Sequence, residues 1–333
     1  MEPTLVDADF FERLRHGERA ALGRAITLIE SDRASDVLAA RALIERCLPH
    51  SGNSMRLGVT GIPGVGKSTL IDVLGSRFID VGHRVAVLAI DPSSLRSSGS
   101  ILGDKTRMER LAASEAAFIR PTPSSGTLGG VARRTQETIV LCEAAGYDRI
   151  VIETVGVGQS ELDVDRMTDL NLLLLIAGAG DELQGIKRGI MESADVIAFT
   201  KTDGDASERV QRARLEMKNA LSLMPPRDSG RRPEVMSTSA FDGNGIIELR
   251  DHLEMLHKKD LLSGRTTRRR HDQNLFWMNR AVEEDLRAAL HSDGHVAQAL
   301  PGLEEAVRSG TKSPFQAAAE LLVLFRRGGA PPL

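Results

Sequence analysis

The sequence has few cysteines, few aromatic residues and no excess of charge of one sign. Its two cysteines, Cys47 and Cys142, stand 95 positions apart, which excludes a disulfide-dense scaffold and indicates buried thiols in a reducing compartment. Aromatic residues make up only 3% of the chain, too few for repeated base-stacking platforms. Lys and Arg number 43 against 46 Asp and Glu, so we expect no nucleic-acid partner.

Nothing in the sequence predicts a membrane segment or a secretion signal. The longest apolar run, Leu172 to Gly180, is about half of the ~18 residues needed to cross a bilayer. The start of the chain has no hydrophobic secretory region and is too acidic for a typical transit peptide. We therefore expect no membrane partner and a cytoplasmic protein, or an organellar one whose import signal has been removed.

The hydrophobic pattern predicts an α/β fold between helical extensions. Residues 7–48 carry apolar residues at helical spacing, which predicts two or three helices. Short runs rich in Val, Ile and Leu then alternate with helical stretches, which is typical of a parallel sheet covered on both faces. The predicted strands are 55–60, 85–90, 117–119, 149–153, 171–176, 196–200 and 235–238.

After about Asp251 only helical stripes occur, one of them formed by Leu275, Met278, Val282, Leu286 and Leu290. The expected organisation is an N-terminal helical extension (1–50), a core (51–257) and a C-terminal helical segment (258–333). The arginine-rich stretch Ser263–His271 is interpreted as an exposed linker whose charges are solvated or form an arm that binds polyanions.

The glycines, 31 in all, are concentrated in a few loops after strands, and the first is a phosphate-binding motif. The run Gly61-Ile62-Pro63-Gly64-Val65-Gly66-Lys67-Ser68-Thr69 matches G-x-x-x-x-G-K-[ST] between a predicted strand and a predicted helix. Backbone N–H groups and the helix N-terminus of such a loop bind phosphate oxygens. Lys67 would neutralise the β- and γ-phosphates, and the Ser68 hydroxyl would bind Mg²⁺. The motif predicts a P-loop NTPase with a mostly parallel sheet flanked by helices.

The nucleotide base is predicted to be guanine. Thr200-Lys201-Thr202-Asp203 follows the sixth predicted strand and is close to the Asn-Lys-x-Asp element of GTPases, with Thr200 in place of Asn. The Asp203 carboxylate can accept hydrogen bonds from guanine N1–H and the 2-amino group, which adenine lacks. The Lys201 stem would lie along the purine plane. Ser239-Ala240 follows the last strand, where GTPases usually carry a guanine-supporting Ser-Ala.

Acidic residues at strand ends mark the expected metal side of the site. Asp91 and Glu153 end predicted strands at the phosphate edge, so either is a candidate Mg²⁺ ligand or acceptor for a Mg²⁺-bound water. Gly156 matches the D-x-x-G glycine that senses the γ-phosphate, with Glu in place of Asp. Gln159 lies two positions later than the water-orienting glutamine of Ras-like proteins and is the weaker candidate.

Two further loops are interpreted as mobile switches. The segment 92–108 is rich in Ser and Gly, contains Asp104 and lies next to the predicted metal site. The segment 177–188 follows the fifth strand and carries glycines and charges that a plain connection does not need. We expect nucleotide binding to order the first of them.

Together these segments resemble the MeaB-type GTPases, relatives of the methylmalonic aciduria type A protein in the SIMIBI class of P-loop GTPases. The resemblance covers nearly the whole chain and rests on GIPGVGKST, AIDPSS, GDKTRM, RPTPSSGTLGG, ETVGVGQSE, AGAGDELQGIKRGIME and TKTD. It implies a homodimeric, Mg²⁺-dependent GTPase that serves as a G-protein chaperone of an adenosylcobalamin-dependent acyl-CoA mutase. Such a chaperone gates cofactor loading by an adenosyltransferase and protects or reactivates the mutase, and we expect no direct cobalamin binding.

The resemblance also implies roles for individual residues. Nucleotide binding falls to Gly61–Thr69, and base recognition to Lys201 and Asp203. The C-terminal helices would carry the dimer arm. The catalytic candidates are Lys67, Glu153 and Gly156; the metal candidates are Ser68, Asp91, Asp104 and Glu153; the candidates for coupling a partner to hydrolysis, in a third switch, are Asp181, Gln184 and Lys187.

Two alternatives stay open from the residues alone. A nickel-delivery GTPase would need several Cys or His ligands at set spacings, whereas the cysteines are far apart and His291 and His295 are separated by a predicted turn. A kinase would need an acceptor pocket and a base, neither of which is identifiable. Since no arginine finger or well-placed glutamine is evident, we expect slow intrinsic turnover that a partner accelerates.

Overall fold

The computed structural model describes residues 8–91, 107–123, 128–154, 160–178, 188–203, 207–227 and 229–327. The chain divides into two compact units, a core unit that ends at Gln273 and a C-terminal unit that begins at Asn274. No helix among the described residues combines the length and apolar character needed to cross a membrane.

The described elements follow the predicted alternation of strands and helices. The helices are α1 (Ala8–Arg15), α2 (Arg19–Glu30), α3 (Ala34–Cys47), α4 (Lys67–Ile79), α5 (Glu109–Ala113), α6 (Leu128–Ala144), α7 (Ser160–Asp165), α8 (Arg188–Ser193), α9 (Ser207–Ser222), α10 (Ile246–Leu262), α11 (Arg265–Ser292), α12 (Gly294–Arg308) and α13 (Pro314–Arg327). The strands are β1 (Met55–Gly61), β2 (Val85–Asp91), β3 (Ala117–Pro123), β4 (Arg149–Thr154), β5 (Leu170–Ile176), β6 (Val196–Thr200) and β7 (Glu234–Ser237). All seven predicted strands are confirmed.

The strands form one parallel sheet in the order β3-β2-β4-β1-β5-β6-β7. Strand β1 lies in the middle, between β4 and β5. Because all strands run the same way, their carboxyl ends meet at one edge of the sheet and their amino ends at the other. The α/β prediction is therefore confirmed, and the loop after β1 begins at the centre of the carboxyl edge.

Both faces of the sheet are buried, which explains the nearly continuous hydrophobic strands. In β5, Leu172 and Leu174 pack in one apolar cluster with α4 and α10. Their neighbours Leu173 and Leu175 pack in a second cluster with α9 on the opposite face. Successive side chains of a strand point to opposite faces, so a strand covered on both sides needs apolar residues at every position.

The predicted N-terminal helices are present and belong to the core unit. Helices α2 and α3 both contact α6, and residues such as Leu22 and Ile26 are fully buried. Cys47 and Cys142 are buried thiols outside any disulfide, as predicted. Burial raises the pKa of the Cys47 thiol to about 11.

The interpretation of Ser263–His271 as an exposed linker is wrong. Helix α11 begins inside it, and two of its three consecutive arginines, Arg269 and Arg270, are paired with carboxylates of the core unit. Arg269 Nη2 lies 2.7 Å from Asp165 Oδ1, and Arg270 donates to both oxygens of Asp169, at 2.8 and 2.7 Å. The sequence could not show this, because the acceptors stand 104 and 101 positions earlier in the chain.

The C-terminal unit is helical, as expected. Asp293 caps α12 by accepting hydrogen bonds from the backbone N–H groups of His295 and Val296, at 2.9 and 3.0 Å. The predicted apolar stripe on α11 is present but open to solvent. Its members Leu275, Met278, Val282 and Leu286 are 57%, 56%, 52% and 55% exposed.

Candidate nucleotide site

The phosphate-binding motif occupies the sharp turn between β1 and α4. Gly61 has φ +150°, and a Cβ there would lie 2.7 Å from the carbonyl oxygen of Leu174 on β5. Gly66, directly before α4, has φ +97°. L side chains rarely adopt such backbone angles, so glycine is required where the chain leaves the sheet and where it enters the helix. The backbone therefore presents the N-terminus of α4 at the sheet edge.

Lys67 is the first residue of α4 and is only 7% exposed. Its ammonium Nζ donates to the carbonyl oxygens of Gly61, at 2.7 Å, and Ile62, at 3.1 Å. A buried charge is costly unless hydrogen bonds satisfy it. The loop carbonyls do so, and they hold the ammonium within the turn where phosphates are expected.

Ser68 and Glu153 come together although they are 85 positions apart. The Ser68 hydroxyl donates to Glu153 Oε1 at 2.8 Å, and Glu153 is 7% exposed. Neighbouring oxygen ligands of an octahedral Mg²⁺ lie about 3 Å apart, given metal–oxygen distances of ~2.0–2.1 Å. These two hard oxygen donors thus fit a Mg²⁺ site in both chemistry and spacing.

Asp91 ends β2, on the strand adjacent to Glu153. In the pairing of β2 with β4, Ala89 is opposite Glu153, which places the Asp91 backbone slightly beyond Glu153 at the carboxyl edge. The other candidates for the metal, for hydrolysis and for partner coupling fall outside the described residues: Asp104, Gly156, Gln159, Asp181, Gln184 and Lys187.

The Thr200–Asp203 segment is tied directly to the phosphate loop. Lys201 adopts φ +55°, a strained conformation for a non-glycine residue, and its Nζ donates to the Gly64 carbonyl at 2.9 Å. The buried hydroxyl of Thr200 donates to the Val65 carbonyl at 2.7 Å. From the sequence, Thr200 was noted only as a replacement of the Asn in the Asn-Lys-x-Asp element. Its position next to Lys201 was the one signal that it could connect the two segments.

Asp203 is supported by the loop after β7. The hydroxyl of Ser239, a fully buried residue, donates to Asp203 Oδ1 at 3.3 Å. The backbone N–H of Ser239 donates to the Asn244 carbonyl at 2.9 Å, and Ala240 packs against the apolar cluster of α4 and α10. The structure thus brings the predicted base-binding and phosphate-binding residues to one edge of the sheet.

The described residues give the nickel alternative no ligand cluster. Within the described ranges, no three His, Cys, Asp or Glu side chains are arranged to hold a metal ion. The Asp293 cap ends one helix and starts the next between His291 and His295. This separation agrees with the turn predicted between them.

A glycine-rich turn from β1 into α4, at the centre of a parallel sheet and joined to a Thr-Lys-x-Asp segment, defines a P-loop nucleotide triphosphatase. Comparison with known proteins narrows that class. Residues 22–295 match the family of methylmalonyl-CoA mutase-associated GTPases, MeaB. The chain belongs to this family and is a GTPase.

Individual relatives agree with this assignment. A probable GTPase of Mycobacterium tuberculosis is 50% identical, over 93% of this chain and 92% of that protein. The mitochondrial methylmalonic aciduria type A homolog of Mus musculus is 44% identical, over 93% of this chain and 77% of that protein. A crystal structure described as a LAO/AO transport system kinase superposes with a TM-score of 0.77 at 37% identity, covering 98% of this chain and 99% of that one.

Proposed function

We propose that this GTPase is a Mg²⁺-dependent chaperone of an adenosylcobalamin-dependent acyl-CoA mutase, methylmalonyl-CoA mutase or a relative. The match of residues 22–295 to mutase-associated GTPases carries the proposal, and the name of the murine relative agrees with it. In this role the GTPase gates cofactor loading from an adenosyltransferase and protects or reactivates the mutase.

The phosphate side of the proposed mechanism follows from the loop geometry. Lys67 is held at the turn by two carbonyl oxygens, so bound β- and γ-phosphates would take over its hydrogen bonds with little side-chain movement. The loop N–H groups and Lys67 then oppose the charge that develops as water attacks the γ-phosphate in line. We propose that the backbone N–H of Gly156 senses the same phosphate.

Ser68 and Glu153 are the residues that would hold Mg²⁺, with Asp91 and Asp104 as further candidates. The 2.8 Å contact between the Ser68 and Glu153 oxygens supports this assignment. When bound, the metal neutralises charge on the phosphate oxygens. Glu153 would also fix the Ser68 hydroxyl at the start of α4, beside the phosphate loop.

Lys201 and Asp203 would recognise the base, supported by Ser239 and Ala240. Because Thr200 and Lys201 bond to carbonyls of the phosphate loop, the base-binding segment and the phosphate-binding segment would move together. The loop that contains Asp181, Gln184 and Lys187 would then transmit the nucleotide state to the mutase.

A direct test is GTP turnover with and without purified methylmalonyl-CoA mutase. We expect complex formation that depends on the bound nucleotide and faster turnover in the complex. Gln184→Ala should lose the acceleration but keep GTP affinity, whereas Gln298→Ala on α12 is the matched control. Failure of the mutase to bind, or recovery of a hydrogenase or urease subunit instead from the source lysate, would contradict the proposal.

We further propose that the chain forms a homodimer through the C-terminal segment. Four apolar residues on α11, Leu275, Met278, Val282 and Leu286, are more than half exposed along one stripe. Spacings of three and four residues place them on one helix face, and a second copy presents the same stripe, as an isologous interface requires.

Light scattering after size exclusion tests the dimer. Met278→Glu with Val282→Glu should give monomers that retain GTP affinity, while Ala288→Glu, at an exposed position on the opposite face of α11, should leave the dimer intact. A wild-type protein that is monomeric at micromolar concentration would contradict the proposal.

A further inference from the structure

A polar cavity lies in the core unit, near the amino ends of the strands. Its volume is about 560 Å³, within the ~300–1,000 Å³ typical of small-molecule sites. It is lined from the end of α7, the segment before β7, the end of α10 and the start of α11. The lining residues are Asp165, Arg166, Ser229, Arg231, Lys259, Asp260, Ser263, Arg265, Arg268, Arg269, Asp272 and Gln273.

This cavity carries an excess of positive charge. Six of the lining side chains are cationic and three are carboxylates; Asp228, next to Ser229, lies outside the described residues. Asp260 Oδ2 accepts from Arg231, at 2.8 Å, and from Arg265, at 2.6 Å. Asp260 therefore orients two guanidinium groups as a rigid wall. Arg231 also lies 3.7 Å from the buried carboxylate of Asp195, so it is held between two acids, whereas Arg265 shares Asp260 with it.

Two further cations complete the rim. Lys259 and Arg268 are exposed, and neither has a carboxylate partner among the described residues. Asp272 also lines the cavity and is the acidic group that remains at the rim. Cations that are positioned but not neutralised are what a phosphate group requires, because guanidinium and ammonium groups donate charge-assisted hydrogen bonds to its oxygens.

A buried amide oxygen provides a second, independent observation. Gln273 is 3% exposed, and its Nε2 donates to the carbonyl oxygens of Asp165, at 3.2 Å, and Thr168, at 2.8 Å. These two bonds fix the orientation of the amide. Its Oε1 is left buried without a hydrogen-bond partner in the described structure. A buried acceptor of this kind is costly unless a donor reaches it, so a fitting ligand carries a hydrogen-bond donor as well as negative charge.

We propose that this cavity binds a phosphorylated small molecule that also carries hydroxyl groups, at a site distinct from the nucleotide site. The strand β5 starts at Leu170, beside the cavity, and ends near the phosphate loop with Ile176. A strand of that length spans roughly 20 Å, so the two sites lie at opposite edges of the sheet. The proposal does not depend on the mutase partnership.

The test uses full-length protein saturated with GDP and Mg²⁺, so that the phosphate loop is already occupied. Calorimetric titration with ribose 5-phosphate should show one site per chain, and inorganic phosphate should bind more weakly because it brings no sugar hydroxyls to Gln273. Combining Lys259→Ala with Arg268→Ala should raise the dissociation constant for ribose 5-phosphate by about tenfold.

Lys258→Ala removes an exposed charge from the position beside Lys259 and should leave this affinity unchanged. GDP affinity should be the same in all variants, which shows that they are folded. The proposal is overturned if ribose 5-phosphate does not bind at millimolar concentration, if the double variant binds it as tightly as the wild type, or if inorganic phosphate binds equally well.

Discussion

Replacing Asp203 with asparagine tests base recognition with the least structural disturbance. Asp203 is exposed, and the contact that the structure gives its side chain is the Ser239 hydroxyl, 3.3 Å from Oδ1. The oxygen of an asparagine amide can accept the same hydrogen bond. Asp203→Asn should therefore keep the loop conformation and change only the hydrogen-bonding groups that this side chain offers to the base.

The expected loss of GTP affinity follows from the number of hydrogen-bond donors on guanine that Asp203 can accept from. A carboxylate accepts from both N1–H and the 2-amino group, whereas the carboxamide keeps one acceptor and turns its own NH₂ group toward the other donor. A hydrogen bond to a charged group contributes about 1.5–3 kcal/mol. Losing one such bond at about 2 kcal/mol corresponds to a fall in GTP affinity of roughly thirtyfold.

The assay compares GTP with ITP, whose base lacks the 2-amino group, by competition against a fluorescent nucleotide. The wild type should prefer GTP, and Asp203→Asn should abolish most of that preference. Glu208→Gln, an exposed change at the start of α9, controls for the loss of charge. If the variant keeps the wild-type ratio of GTP to ITP affinity, the 2-amino group does not interact with Asp203 and the reasoning fails.

Three more predictions follow from the buried charges and thiols. Lys67→Ala should weaken GTP binding at least about a hundredfold, because it removes more than one charge-assisted bond to the phosphates; unchanged affinity in a fluorescence titration would refute the loop assignment. Burial alone would raise the pKa values of Glu143 and Asp169, but paired arginines hold these pKa values below the ordinary range. The unfolded chain then binds more protons in acid, so the free energy of unfolding in urea should fall as pH drops below about 5, and a flat profile would contradict this. Since burial raises the pKa of Cys47 to about 11 and that of Cys142 as well, neither thiol should react with a disulfide reagent at pH 8 until the protein is denatured.

The fold was predictable because its signals are local. A short apolar run in the sequence predicts each strand. The run is continuous because both faces of the sheet are buried, as Leu172–Leu175 in β5 show. The phosphate loop is likewise recognisable from one short stretch of sequence. Its glycines Gly61 and Gly66 are needed there because they have backbone angles that other residues rarely adopt.

The ionic contacts at the amino edge were not predictable, because each joins residues far apart in sequence. Arg56 and Glu143 form a buried pair at 2.8 Å across 87 positions, and Arg270 reaches Asp169 across 101. Three consecutive arginines look like a solvated run as long as the carboxylates that bind Arg269 and Arg270 are unknown. The partners of Arg269 and Arg270 can be assigned only once the fold is known, because the fold brings Asp165 and Asp169 next to α11.

Thr200 shows why a departure from a motif need not weaken a site. An asparagine at that position could join the base-binding and phosphate-binding segments through its side chain, and the threonine hydroxyl makes the same kind of connection to the Val65 carbonyl at 2.7 Å. Lys201 adds a second bond, to the Gly64 carbonyl, from a strained backbone conformation that the surrounding structure must stabilise. Two bonds from adjacent residues to adjacent loop carbonyls fix both the position and the orientation of one segment against the other. Binding at the phosphate loop and binding at the base segment should therefore be energetically coupled, since neither segment can shift without breaking hydrogen bonds that the other holds.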